Sequence, residues 1–194
     1  KVHLKPNEFS YSSVIDAHAK RGDTEGAGRW LEEMEEVHLV PGEVAYTAVI
    51  DSCAKRQKPM EAAEWLKRMA ASSLSPGVGA YNAVVDSCAK AGDPEAAVRW
   101  LTEMMNQRVE PDTVSYNAVI NSYARASDTL GTSRWLEKMG KARRQPNIIS
   151  YNTVVGAYAR VGDPDGVAGV LDSMTEAGLE PNVVTWTSMI TACA

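Results

Sequence analysis

Phenylalanine is nearly missing: the 194 residues hold one Phe, against seven Tyr and five Trp. A core built from unrelated contacts draws on all three aromatics, so this skew points to one template written several times. Cysteine is scarce as well. Cys53, Cys88 and Cys193 stand 35 and 105 residues apart, one equivalent slot in different copies of a unit. Neighbouring copies of that slot lie too far apart for a disulfide, and the three are expected to be small, buried apolar thiols. His3, His18 and His38 form no ligand pair with them at metal spacing, so no metal and no cofactor is expected. No apolar run approaches the roughly 18 residues that span a bilayer. No signal or transit segment heads the sequence; it opens on Lys1 without Met and is expected to be part of a longer protein. Positive charge is also short. A net charge of −5 by itself counts against a nucleic-acid partner.

What the sequence does have is a strict period of 35 residues. Proline recurs as Pro6, Pro41, Pro76, Pro111, Pro146 and Pro181. Tyrosine recurs as Tyr11, Tyr46, Tyr81, Tyr116 and Tyr151, with Trp186 in the next place. Methionine follows as Met34, Met69, Met104, Met139 and Met174, and Trp as Trp30, Trp65, Trp100 and Trp135, with Val170 breaking the series. No insertion disturbs the register, which is the mark of a repeat architecture.

Each unit reads as two helices. Tyr116, Val119, Ile120 and Tyr123 fall at i, i+3, i+4 and i+7, one apolar stripe, and Ala97, Trp100, Leu101 and Met104 repeat that spacing in a second helix. Between the two, Asp93-Pro94-Glu95 and Asp163-Pro164-Asp165 offer an Asp cap, Pro in the first turn and an acid after it. Asp23 and Asp128 are expected to cap likewise, with Lys58 the weak member; Gly22, Gly92 and Gly162 suit the end of the first helix. The closing Pro of each unit is expected to stop the second. The repeats then divide as 8–42, 43–77, 78–112, 113–147 and 148–182, with 1–7 the end of a preceding repeat and 183–194 the first helix of a sixth. One hairpin cannot bury its stripe alone, so the fold class expected is all-α, a right-handed α-solenoid of stacked helix-turn-helix hairpins. The Trp and Met series are expected to pack between helices.

The motifs "PDTVSYNAVINSYARA" and "PNIISYNTVVGAYARVGD", the Met late in the second helix and the closing Pro-Asp or Pro-Asn resemble pentatricopeptide repeats, in a P-type array of 35-residue units. The likeness covers residues 8–194. A tetratricopeptide array has a 34-residue period and a small residue inside its first helix, where this sequence has Ile120 and Val155.

The resemblance implies binding of single-stranded RNA, one base per repeat, with the residue after Tyr and the residue after the closing Pro reading the base. Carried over, Ser12 pairs with Gly42 and Thr47 with Gly77. A small hydroxyl there resembles a purine reader, though Gly supplies no second contact. Asn82 with Asp112 resembles the uracil-selecting pair. Asn117 with Asn147 and Asn152 with Asn182 resemble pyrimidine selectors, an amide offering both donor and acceptor. Thr187 would read a sixth base, and Asn7 lacks its preceding reader. The residue two before Tyr would lie between bases: Phe9, Val44, Val114, Ile149 and Val184, with Gly79 departing from the pattern. The reader asparagines also have a plain structural use, capping a helix start or pairing with backbone.

Splitting the charge by helix tempers the net value. The first helices (9–21, 44–56, 79–91, 114–126 and 149–161) carry seven Lys or Arg against three Asp, while runs such as Leu31 to Glu36 put acid on the second helices. Lys20, Lys55, Lys90, Arg125 and Arg160 share one slot, and the resemblance makes them phosphate contacts. Asp16, Asp51 and Asp86 stand four residues before the three lysines, spacing for weak ion pairs. Asn121 and Gly156 replace that Asp, so Arg125 and Arg160 are expected to be free of it and the third to fifth repeats to dominate binding.

Two functions from different classes follow. The first is sequence-preferring single-stranded RNA binding by a monomer in mitochondrial or plastid RNA metabolism, a setting implied by the family. The second is a protein-binding scaffold, for instance on an organellar ribosome, which the bare Gly42 and Gly77 and the acidic second helices favour. An enzyme is not expected: the sequence shows no metal-ligand cluster and no nucleophile–base pair. No membrane role is expected either.

Overall fold

The computed structural model describes residues 6–193. His3, the start of the segment read as the end of a preceding repeat, and Ala194 lie outside them. Among the described residues there are eleven helices and no strand. They divide into two compact units, Lys1–Ser87 and Cys88–Ala194.

The first unit holds α1 (Glu8–Lys20), α2 (Thr24–Glu36), α3 (Glu43–Lys55) and α4 (Pro59–Ala71), and the start of α5 (Val78–Ala91). The second holds α6 (Pro94–Asn106), α7 (Thr113–Arg125), α8 (Thr129–Lys141), α9 (Ile148–Arg160), α10 (Pro164–Glu176) and α11 (Val183–Ala192). In the first unit α1 packs on its partner α2 and on α3, and α3 on α2 and α4. In the second, α7 meets α6, α8 and α9, while α9 meets α8, α10 and α11. This is hairpin stacked on hairpin, the α-solenoid class that the period called for.

Local chemistry explains why the helices start where they do. The carboxylates of Asp23, Asp93, Asp128 and Asp163 accept the backbone N–H of Gly26, Ala96, Gly131 and Gly166, three residues on. Lys58 gives no side-chain cap, and α4 begins on Pro59 instead. Gly22, Gly92 and Gly162 take positive φ just past the first helices; Gln57 and Ser127 hold the same left-handed place without glycine's freedom. The second helices end differently from expectation. They stop at Glu36, Ala71, Asn106, Lys141 and Glu176, well before each closing Pro. A left-handed residue (His38, Ser73, Arg108, Arg143 or Gly178) turns the chain there, and the Pro comes later, just ahead of the next helix cap.

The stripes are buried as spaced. Tyr116, Val119 and Ile120 are buried, as are Ala97, Leu101 and Met104. Every Met of the series is fully excluded from water, a burial worth about 1.5–3 kcal/mol per side chain. The Trp rings lie further out. Trp30, Trp65 and Trp135 pack against Tyr11, Tyr46 and Tyr116 with ring centroids 5.9, 6.4 and 6.3 Å apart. Arg68 and Lys138 cover the outer faces of Trp65 and Trp135 at 4.3 and 4.2 Å. A methyl group at Gly131 would collide with the Tyr123 ring, so that ring's seat depends on glycine.

Cys53 and Cys88 are buried and free, and burial pushes both thiols up to about 11. Cys193 is exposed, against the expectation of a third buried thiol. Since the thiolate is the reactive form, a thiol reagent at pH 8 should titrate one cysteine quickly in the native chain. Cys53→Ser and Cys88→Ser should leave that fast phase intact and Cys193→Ser should abolish it; three fast thiols would contradict this packing.

Candidate functional site

In each first helix a second stripe runs beside the buried one. Positions i, i+3, i+7 and i+11 share a face of a helix, and they hold Val114, Asn117, Asn121 and Arg125 in α7, and Ile149, Asn152, Gly156 and Arg160 in α9. The corresponding residues are Phe9, Ser12, Asp16 and Lys20 in α1 and Val44, Thr47, Asp51 and Lys55 in α3. Tyrosine turns its ring inward: Tyr11 donates to Glu33 Oε1 of its own hairpin at 3.2 Å, and Tyr46 to Glu35 Oε1 of the hairpin before at 2.6 Å. The residue after it is thereby turned half outward.

The residues read as lying between bases are all exposed apolar side chains: Phe9 by 80%, Val44 by 74%, Val114 by 58%, Ile149 by 61% and Val184 by 58%. One exposed apolar residue means little; five in one slot form a pattern. Gly79, in the same slot of α5, has open space around it.

The residues after the closing Pro are helix caps. Asp112 Oδ1 accepts the Ser115 N–H, Asn147 Oδ1 those of Ile149 and Ser150, and Asn182 Oδ1 that of Thr185. Asn7 caps α1 through Ser10 in the same way. Gly42 gives α3 no side-chain cap. The plain capping use thus falls on these residues, whereas Asn117 and Asn152 do something else. Ser150 Oγ donates to Asn117 Oδ1 at 2.6 Å, and Thr185 Oγ1 to Asn152 Oδ1 at 2.7 Å. The Asn152 amide also leans on Asn182 Oδ1 at 3.4 Å. Ser12, Thr47 and Asn82 are half-buried. Thr187 is exposed, its hydroxyl spent on Val183 O of its own helix at 2.7 Å.

The cations are differently held. Lys20 pairs with Asp16 at 2.6 Å, both ends open to water, so the pair contributes little to stability. Lys55 and Arg125 are exposed and Lys90 half-buried. Arg160 lacks the Asp, as expected, but is not loose: its Nη2 donates to Ala124 O at 2.6 Å. That carbonyl lies in the last turn of α7, the negative end of the helix. A shallow pocket of about 320 Å³ between Asn121, Ile149, Asn152, Thr153, Gly156 and Arg160 brings together the apolar residue, the amide and the cation of one repeat.

Sequence reasoning missed two groups here. One is the pair of buried hydroxyls on Ser150 and Thr185, whose partners lie 33 residues away. The other is Glu43. A Cβ built on Gly77 would stand 2.8 Å from Glu43 Oε1, so the acid reaches into the space which the missing side chain leaves. Capping gives a direct check on this geometry. Asn147→Ala should cost about 1 kcal/mol of stability in urea unfolding, while Asn147→Asp, which keeps the acceptor, should stay within about 0.5 kcal/mol.

Sequence models of the PPR repeat family match residues 6–55, 76–125 and 146–194, and a single PPR repeat model matches 44–74 and 114–143. The pentatricopeptide repeat protein PPR10 from maize is similar in structure, with 27% identity over 97% of this chain and a TM-score of 0.78. PPR10 in complex with an 18-nt psaJ RNA element matches at 24% identity over 98% of the chain, with a TM-score of 0.69. The chain spans 27% and 31% of the length of those two structures. The PPR domain of Arabidopsis thaliana protein-only RNase P 1 in complex with tRNA matches at 15% identity, 95% of this chain and 97% of that one, TM-score 0.77. None of the curated proteins compared matches the chain.

Proposed function

Because the chain belongs to the PPR repeat family, we propose that it binds single-stranded RNA, each repeat reading one base. The observation that carries this is the outer stripe: an exposed apolar residue, a half-buried polar reader and a basic residue recur along one helix face. Each suits a different part of a nucleotide. An exposed apolar side chain lies against a base face, an amide meets a Watson–Crick edge, and a cation meets the phosphate. The RNA named in the maize complex and the tRNA in the RNase P domain complex support RNA as the ligand.

The preferred core is purine-purine-U-pyrimidine-pyrimidine, 5′ to 3′ from the first repeat to the fifth in the family's orientation, with the first two places loosely held at Gly42 and Gly77. The pairs are Ser12 with Gly42, Thr47 with Gly77, Asn82 with Asp112, Asn117 with Asn147 and Asn152 with Asn182, with Thr187 facing a sixth base. Lys20, Lys55, Lys90, Arg125 and Arg160 serve the phosphates. The chain acts as a monomeric binding array and not as an enzyme. Mitochondrion or plastid is the family's usual setting, and RNA processing, stability, editing or translation its usual field. A nuclear Arabidopsis relative of the same fold, protein-only RNase P 2 (14% identity, 95% of this chain and 42% of that one, TM-score 0.78), makes fractionation the check on compartment.

Two substitutions together test the reading. Asn117→Ser with Asn147→Asp should move the fourth place from pyrimidine towards G, measured with four RNAs differing at that base alone. An unchanged ranking, with heparin competing as well as RNA, hands the function to the protein-scaffold reading. Arg125→Ala with Arg160→Ala should weaken all four RNAs alike and flatten the salt dependence by about 1.4 in log–log slope. A loss confined to one base would contradict a phosphate role.

A further inference from the structure

We propose that Ser150 and Thr185 are positioning residues that lock the reading amides of Asn117 and Asn152 with their N–H groups outward. This rests on the RNA-reading function above. The first ground is distance. Contacts of 2.6 and 2.7 Å fall in the range of O–H···O bonds and at or below the short end for N–H···O. The atom facing each hydroxyl is therefore the amide oxygen, and the amide nitrogen points away from the hydroxyl, in Asn152 with one N–H towards Asn182 Oδ1 at 3.4 Å.

The second ground is proton counting. Ser150 Oγ accepts the Asn147 N–H at 3.1 Å, and Thr185 Oγ1 accepts the Asn182 N–H at 3.0 Å. Each hydroxyl has one proton to give. The cap oxygens, at 3.1 and 3.0 Å, compete for it but already accept backbone N–H groups. The shorter contact wins, and the proton goes to the reader. Both hydroxyls are fully buried, so water cannot take over the bond. An amide without such a latch turns over at little cost and shows a base either donor or acceptor. A latched one holds its N–H donors in one fixed direction.

The third ground is co-occurrence along the chain. Where the reader is an amide, as in Asn82, Asn117 and Asn152, the third residue of the next first helix is Ser115, Ser150 or Thr185. Where the reader is a hydroxyl, as in Ser12 and Thr47, that residue is Ala45 or Ala80. A hydroxyl rotor has no orientation to be set, so it needs no latch. A capping box alone would place Ser or Thr here for helix stability, and it makes a different forecast.

The full chain is measured against four RNAs differing only at the fourth base. Ser150→Ala should shrink the ratio between the best and the worst base about fivefold, the worth of one buried hydrogen bond, and Ser150→Thr should restore it. Circular dichroism establishes that each variant is folded, Asn147 still capping α9. If Ser150→Ala weakens all four RNAs equally and keeps their ranking, the hydroxyl is only a helix cap and the latch is overturned, while the base-reading function stands. If the parent chain itself ranks no base above another, base reading falls, and the latch with it.

Discussion

A single helical hairpin here has an apolar stripe on both helices and only the next hairpin to cover it. Everything else is arranged around that contact. Met104 lies against Ser115 at the start of α7, and Met139 against Ser150 at the start of α9, sulfur to hydroxyl at 3.9 and 3.8 Å. The residue at the third position of each first helix is therefore pressed between its own cap and the Met of the hairpin before. Once that packing is set, the beginning of the first helix is set too, and with it the side chains that emerge from its outer stripe.

Structure and proposed chemistry share the same atoms at this point. Asn147 caps α9 with its oxygen, and Asn182 does the same for α11. Ser150 completes the cap and also holds Asn117 of the preceding hairpin. Asn117 and Asn147 are thus joined by the helix start between them. The first repeats lack these links. Gly42 caps α3 only through its backbone conformation, and Ala45 follows where a hydroxyl stands later in the chain. Their outer stripe carries the same kinds of residue with less to hold them.

Charge follows the same division of labour. Part of the acid of the second helices is paired between hairpins, as where Arg68 of α4 bridges Glu32 and Glu35 of α2 at 2.7 and 2.8 Å. The net charge of −5 describes the second helices better than the stripe that carries Lys20, Lys55 and Arg125. Arg160 illustrates how a cation can be placed without a counter-charge: a helix-end carbonyl orients it while leaving its charge unneutralised.

The sequence by itself determined the period, the two helices of each unit, the Asp caps at Asp23, Asp93, Asp128 and Asp163, and which residues share the outer stripe. These follow from spacing, because helical periodicity and first-turn capping are local rules that act within about one turn of chain. Only the tertiary structure decided the rest. It ended the second helices at left-handed residues and not at Pro, exposed Cys193, brought Glu43 beside Gly77, laid Arg160 on Ala124 and set the hydroxyls of Ser150 and Thr185 on the amides of Asn117 and Asn152. The last three of these join residues about one repeat apart. Spacing along a chain shows which face a side chain occupies; how closely two faces approach is decided by the side chains packed between them.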